Sequence, residues 1–162
     1  MVELAVATAR ALGLDDAGLA EVRQAALLHD IGKIAVPDAI LNKPGALTDE
    51  EWKIMRTHPI ASQRIVQEIP DLHHLGAILR AEHERWDGTG YPDGLAGQAI
   101  PMASRITLVC DAYHAMTSHR PYRKALTAKA ARQQIASAAG TQFCPTCAQA
   151  LLEVLNLRQA SS

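Results

Sequence analysis

Aromatic side chains are what this 162-residue chain has least of: one Phe, three Tyr and two Trp make up 4%, so its core must be built from Leu, Ile, Val and Ala. Surplus charge is missing too. With 16 Lys and Arg against 17 Asp and Glu the net charge is −1, which excludes electrostatic capture of a long nucleic acid, although a local basic cluster can still grip one or two phosphates. No apolar run reaches the roughly eighteen residues that span a bilayer. Met1-Val2-Glu3 is not the basic start of a signal peptide, so a cytoplasmic location is expected. Three cysteines, an odd number, argue against a disulfide framework and fit a reducing compartment. What remains, 48% hydrophobic and 20% charged, is enough for one domain with a sizeable core.

The chain reads as helical almost throughout. Val2 to Leu12 is rich in Ala and Leu and ends at Gly13, a C′ position, which leaves little helix before it and suggests that the domain starts inside an element. Asp15 or Asp16 caps a second helix, whose apolar positions Leu19, Val22, Ala26 and Leu27 recur at three- and four-residue steps. That helix delivers His29-Asp30. Pro37, Asn42, Pro44 and Gly45 mark a connection with about one helical turn, and Thr48-Asp49-Glu50-Glu51 fits a capping box, after which Trp52 and Met55 are expected to face inward. His58 follows one turn later, and Pro59 starts a helix running to Pro70. Asp71 to Glu84 is expected as one helix with Leu72, Leu75, Ile78 and Leu79 buried and His83 on the same face; His73 and His74 are expected at the surface. Arg85 to Pro101 holds four glycines and two prolines and is a long loop, a length that usually serves function. Helices over Met102 to Met116, Thr127 to Ala139 and Cys144 to Leu157 complete an all-α reading.

The chemistry gathers at His29-Asp30-Ile31-Gly32-Lys33. Adjacent imidazole and carboxylate can serve two cations, and Gly32 frees the backbone to turn. An isolated His-Asp pair is ordinarily a helix cap beside a surface charge; here His58, His83 and Asp111 stand with it, each near a helix boundary or on a helical face. A carboxylate among the apolar neighbours of Asp111 needs a partner, and a metal would supply one. Imidazoles mixed with carboxylates differ from the thiolate set of a structural zinc site.

Taken together, His29-Asp30-Ile31-Gly32-Lys33, Asn42-Lys43-Pro44-Gly45, His58-Pro59, His83-Glu84 with Asp87-Gly88-Thr89-Gly90-Tyr91-Pro92, and Thr117-Ser118-His119-Arg120-Pro121-Tyr122-Arg123 resemble an HD-GYP domain, a branch of the HD phosphohydrolases. The resemblance covers nearly the whole chain. It implies a single helical bundle of about seven helices with a long glycine-rich loop, over residues 1–162, lacking the start of its first helix. It also implies a metal-dependent phosphodiesterase that hydrolyses cyclic di-GMP to the linear dinucleotide or to GMP. Carried over, His29, Asp30, His58, His83 and Asp111 are metal ligands with Asp30 bridging, for two divalent ions, iron or manganese first, then magnesium, nickel or zinc. Such a pair clamps a phosphodiester and lowers the pKa of water. Lys33 would stabilise the phosphate or protonate the departing sugar oxygen, with Asp30 the other catalytic residue. Arg120, Arg123 and Lys124 form a cationic group suited to the second phosphate, and Tyr91 would contact a base or a signalling protein partner.

Four departures from the family pattern stand out. Glu82 precedes His83 where two consecutive histidines are usual, so a carboxylate replaces a nitrogen ligand and biases the site toward manganese, iron or magnesium. A first-helix histidine would fall about four residues before Met1. His114 stands where an aspartate is common and is expected to be structural, and Cys144-Pro145-Thr146-Cys147 replaces an Asp-Pro after Phe143. These departures leave a second reading beside the enzyme: a catalytically impaired module that binds a cyclic dinucleotide or a protein.

Overall fold

Gly13, with a left-handed φ of +78°, turns the chain from α1 (Val2–Ala11) into α2 (Asp16–Leu28), where the Asp15 carboxylate accepts a hydrogen bond from Gly18 N at 2.9 Å. The computed structural model describes residues 1–119 and 124–160. Nine α-helical segments lie among them, with no β-strand: α3 (Asp38–Leu41), α4 (Asp49–Met55), α5 (His58–Gln67), α6 (Gly76–Arg80), α7 (Met102–Thr117), α8 (Ala128–Ser137) and α9 (Pro145–Ala160) complete the set. The all-α expectation holds. The count exceeds seven because α3 and α4 are separate short segments in the connection after Lys33.

One apolar core joins α1, α2, α7 and α9, with Ala5, Ala9, Val22, Ala26, Ile106, Val109 and Leu151 essentially removed from water. Small residues on α1 and α2 let the helices approach closely, which suits a core short of aromatics. On the other side of this core, α5 packs against α6 and against the 3-10 turn Ile31–Ala35. Gly32 makes that second contact: its N–H donates to Ser62 Oγ at 3.0 Å, and a methyl group in place of its hydrogen would strike the His58 carbonyl and the Ser62 backbone. The packing therefore locks the turn that carries Asp30 and Lys33 to the start of α5, where His58 sits.

Three expectations are corrected. Leu27 is 63% exposed, because it lies about 100° around α2 from Ala26, outside the buried stripe of Val22, Ala25 and Ala26. Trp52 is 44% exposed, since α4 buries no residue in the core. Its Thr48–Glu51 capping box forms as expected. The helix expected over Asp71 to Glu84 is instead a 3-10 turn, His73–Leu75, followed by the short α6. Ala81 N then bonds both Ala77 O and Ile78 O, and Glu84 N bonds Ala81 O, so the chain leaves α6 through tight turns. Leu75, Ile78 and Leu79 are buried and His73 and His74 exposed, as their pattern indicated.

Candidate metal centre

His58 occupies the first position of α5, 2% exposed, with Nδ1 2.7 Å from Met55 O. A carbonyl only accepts, so Nδ1 carries the proton and Nε2 presents a lone pair. That lone pair faces His83 Nε2 at 3.0 Å and Glu82 Oε1 at 3.1 Å. Two imidazole nitrogens and a carboxylate oxygen thus converge, and neither Glu82 oxygen, though buried, has a hydrogen-bond partner among the described residues. A cation would satisfy such a cluster. Ligand atoms of Asp30, His58, Glu82 and His83 all lie within 4.8 Å of one another, so the residues present fit a metal ion.

The surroundings shape the charges. Burial pushes the Glu82 carboxyl up to about 7, opposed by its contact with His58. Burial likewise pulls His83 down to about 3, aided by His58, which keeps its imidazole neutral and able to ligate. For Asp30, burial pushes upward but the Lys33 hydrogen bond, at 2.7 Å, and the nearby His29 prevail, so its carboxyl stays below the usual range. Asp30 remains ionised and Lys33 is held against it.

A second set of donors adjoins the first. His29 Nδ1 lies 3.0 Å from Ala26 O, which leaves Nε2 free to face Asp30 Oδ2 at 3.6 Å and Asp111 Oδ1 at 3.8 Å. Asp30 therefore stands between the His58–Glu82–His83 group and the His29–Asp111 pair. Every one of the six expected ligands is in this neighbourhood.

A cavity of about 410 Å³ opens over the cluster, lined by Lys33, His58, His83, Tyr91 and Asp111 with an apolar rim that includes Leu41, Trp52 and Met55. Trp52 and Met55 thus serve the cavity. The Tyr91 ring stacks on His83 with centroids 5.0 Å apart, and the Arg56 guanidinium lies 5.3 Å above Tyr91 and 5.9 Å from the Trp52 ring. Arg56 had no motif to mark it.

The glycine-rich loop is braced from α6. Glu84, 1% exposed, accepts from Asp93 N at 2.7 Å and Gly94 N at 3.0 Å, while Arg80 clasps Asp93 through two bonds of 2.6 and 2.7 Å. The sequence carries no local signal for these braces, because an acidic residue after a histidine and an arginine thirteen residues from its partner form no short-range pattern. Lys124 is exposed and is not among the cavity-lining residues. His114 is exposed on α7, and Arg120 and Arg123 lie outside the described residues.

Comparison with known proteins places this geometry in context. A protein-family model described as HD domain matches residues 1–147. The chain is 42% identical, over 94% of its length and 41% of the relative's, to the cyclic di-GMP phosphodiesterase response regulator RpfG of Xanthomonas campestris pv. campestris. It is 39% identical, over 92% of its length and 32% of the relative's, to the 3'3'-cGAMP-specific phosphodiesterase 3 of Vibrio cholerae. The chain thus spans about two-fifths of the first of these relatives and a third of the second. Among solved structures, a cyclic GMP-AMP specific phosphodiesterase from Vibrio cholerae matches with a TM-score of 0.77 at 16% identity, covering 98% of this chain and 43% of that one. An HDG"Y"P protein from Bdellovibrio bacteriovorus matches with a TM-score of 0.74 at 21% identity, covering 96% and 50%.

Proposed function

Because this chain belongs to the HD domain family, of the HD-GYP kind, we propose that it is a metal-dependent phosphodiesterase hydrolysing cyclic di-GMP or a closely related cyclic dinucleotide. The observation that carries this reading is the convergence of His58 Nε2, His83 Nε2 and the buried Glu82 carboxylate, with His58, His83 and Lys33 lining one cavity. Curated relatives named as phosphodiesterases of cyclic di-GMP and of 3'3'-cGAMP supply the substrate class.

His58, Glu82, His83 and Asp30 would hold one divalent ion, and His29, Asp111 and a shared Asp30 a second, with iron or manganese favoured by the carboxylate-rich donor set. When bound, the ions supply Lewis acidity and lower the pKa of water. The chain's own residues do the rest. His29 and His58 keep their Nε2 atoms aimed inward by donating Nδ1–H to Ala26 O and Met55 O. Lys33 brings a positive charge to the cavity floor, where a phosphodiester oxygen gains charge during in-line displacement, and its ammonium can return a proton to the departing sugar oxygen. Tyr91 and Trp52 line the cavity where a purine base would lie, and Arg56, beside both rings, offers a cation to the second phosphate.

The test is turnover of cyclic di-GMP and 3'3'-cGAMP by the chain loaded with manganese or ferrous iron. Linear dinucleotide is expected to accumulate and Lys33→Ala to lower kcat about 100-fold with metal content unchanged. Binding of either nucleotide without cleavage, under conditions where metal is shown to be bound, overturns the reading.

A further inference from the structure

The metal centre leaves the Cys144-Pro145-Thr146-Cys147 run unused. Cys144 sits just before α9, and its carbonyl accepts from Ala148 N at 2.9 Å, the bond that starts the helix. Its thiol lies 3.2 Å from Thr146 Oγ1 and 3.8 Å from Arg105 Nη1. Cys147, one turn on, is wholly buried, with Sγ 3.8 Å from Met102 Sδ. One sulfur therefore faces a cation and a hydroxyl at a helix start, and the other faces the core.

This difference is chemical. A thiolate at Cys144 is stabilised by the Arg105 guanidinium, the Thr146 hydroxyl and the backbone N–H of Cys147 at the helix start, whereas Cys147 has only the charge of Arg105 to set against its burial. Burial raises Cys144 but bonds from Thr146 and Cys147 outweigh it, so the thiol falls below its usual range. Burial, and then the charge on Cys144, push Cys147 far above its own. Such asymmetry across a Cys-x-x-Cys spacing is what thiol exchange requires: an acidic attacking sulfur and a neighbouring one that resolves. Cys110 is also free, but it is fully buried on α7 beside Thr8, with its thiol raised to about 12 by burial. Cys144 is itself buried, 3% exposed, but Thr146 and Arg105, its polar contacts, line a surface cavity of about 510 Å³ together with Pro145, Met102, Trp86 and Gln98, so the approach to its sulfur is from that side.

We propose that Cys144 and Cys147 are a thiol–disulfide exchange site, with Cys144 attacking and Cys147 resolving, and a small organic disulfide as the oxidant. The Cys144 thiolate attacks one sulfur of the disulfide, forming a mixed disulfide and expelling one thiolate. Cys147 then loses its proton and attacks Cys144 Sγ, forming the Cys144–Cys147 bond and expelling the second thiolate. The two protein thiols are oxidised by two electrons, and the small disulfide is reduced to two thiols. The site reaches beyond the phosphodiesterase reading and does not depend on it. Arg105 also lies 5.8 Å over the Trp86 ring, and the backbone of Trp86 bonds Gln142 O and Gly97 N, so the couple sits against the root of the glycine-rich loop.

The test uses the reduced full chain in a series of glutathione to glutathione disulfide ratios, quenched by alkylation and read by peptide mass spectrometry. The peptide spanning 144–147 is expected to lose two hydrogens with a single midpoint while Cys110 remains a thiol. In short alkylation of the reduced chain at neutral pH, Cys144 should react about ten-fold faster than Cys147 or more. Cys147→Ser, with Cys147→Ala as a second variant and circular dichroism to verify folding, should accumulate glutathione on Cys144; Cys144→Ser should show neither product. No internal disulfide at any ratio, or Cys147 reacting first, overturns the proposal, and the wild-type measurements decide it even if the variants do not fold.

Discussion

Glu82 has two buried oxygens with no hydrogen-bond partner among the described residues, and the Nε2 atoms of His58 and His83 lie 3.1 and 3.7 Å from one of them. A buried carboxylate without a hydrogen-bond partner costs about 1–3 kcal/mol or more, a cost that a bound cation would offset. Two outcomes follow at this scale. Saturating manganese should raise the Tm of the wild-type chain and raise that of Glu82→Ala much less, as read by thermal melts with and without a chelator. Glu82→His should shift the manganese-to-zinc ratio bound from an equimolar mixture toward zinc, as read by elemental analysis; an unchanged ratio would put Glu82 outside the ligand set. At this scale the candidate ligands were legible, since histidines and aspartates in that order mark themselves as a set, and the fold brings them into one neighbourhood. Arg56 was not, because a lone arginine at the end of a short helix acquires meaning only from the Tyr91 and Trp52 rings folded next to it.

Elements decide whether these side chains meet. The turn Ile31–Ala35 packs on α5 through a glycine with no room for a methyl group, so Gly32→Ala should displace Asp30 and Lys33 from His58. A loss of roughly 2–4 kcal/mol in urea unfolding is expected, together with loss of metal binding. The glycine-rich loop depends on Arg80, whose hydrogen bonds hold the Asp93 carboxyl below its ordinary value. A depressed carboxylate adds stability above its unfolded pKa, near 3.9, and loses it as pH falls through the lower folded value. Tm should therefore fall more steeply with acid in the wild type than in Asp93→Asn, by a modest margin because both side chains are about a third exposed. Helix starts at Asp16, Asp49 and Ala128 were readable from Asp15, Thr48 and Thr127, whose side chains do cap them. The break before α6 was not, because apolar spacing at Leu72, Leu75 and Leu79 suits a 3-10 turn leading into a helix as well as one continuous helix.

Across the whole molecule, the apolar core of α1, α2, α7 and α9 supports the site from below, while α5 and the α6 exit close it from the side. The composition made this arrangement readable: a chain of Leu, Ile, Val and Ala with few aromatics forms close-packed helices, and its order of motifs matched a helical hydrolase. What composition could not convey is where non-local groups converge, such as the contact of positions 58 and 83, which needs the start of α5 to meet the turn that follows α6. No helix among the described residues is long and apolar enough to cross a membrane.

The claim beneath everything else is that four segments bring their acceptor atoms around a cation. Anomalous diffraction from crystals grown with manganese tests it directly. A peak within coordination distance of His58 Nε2, His83 Nε2 and a Glu82 oxygen is expected, with Asp30 reaching it and a second peak between His29 and Asp111. A map with no peak beside His58, or a Glu82 side chain turned away from it, would contradict the account.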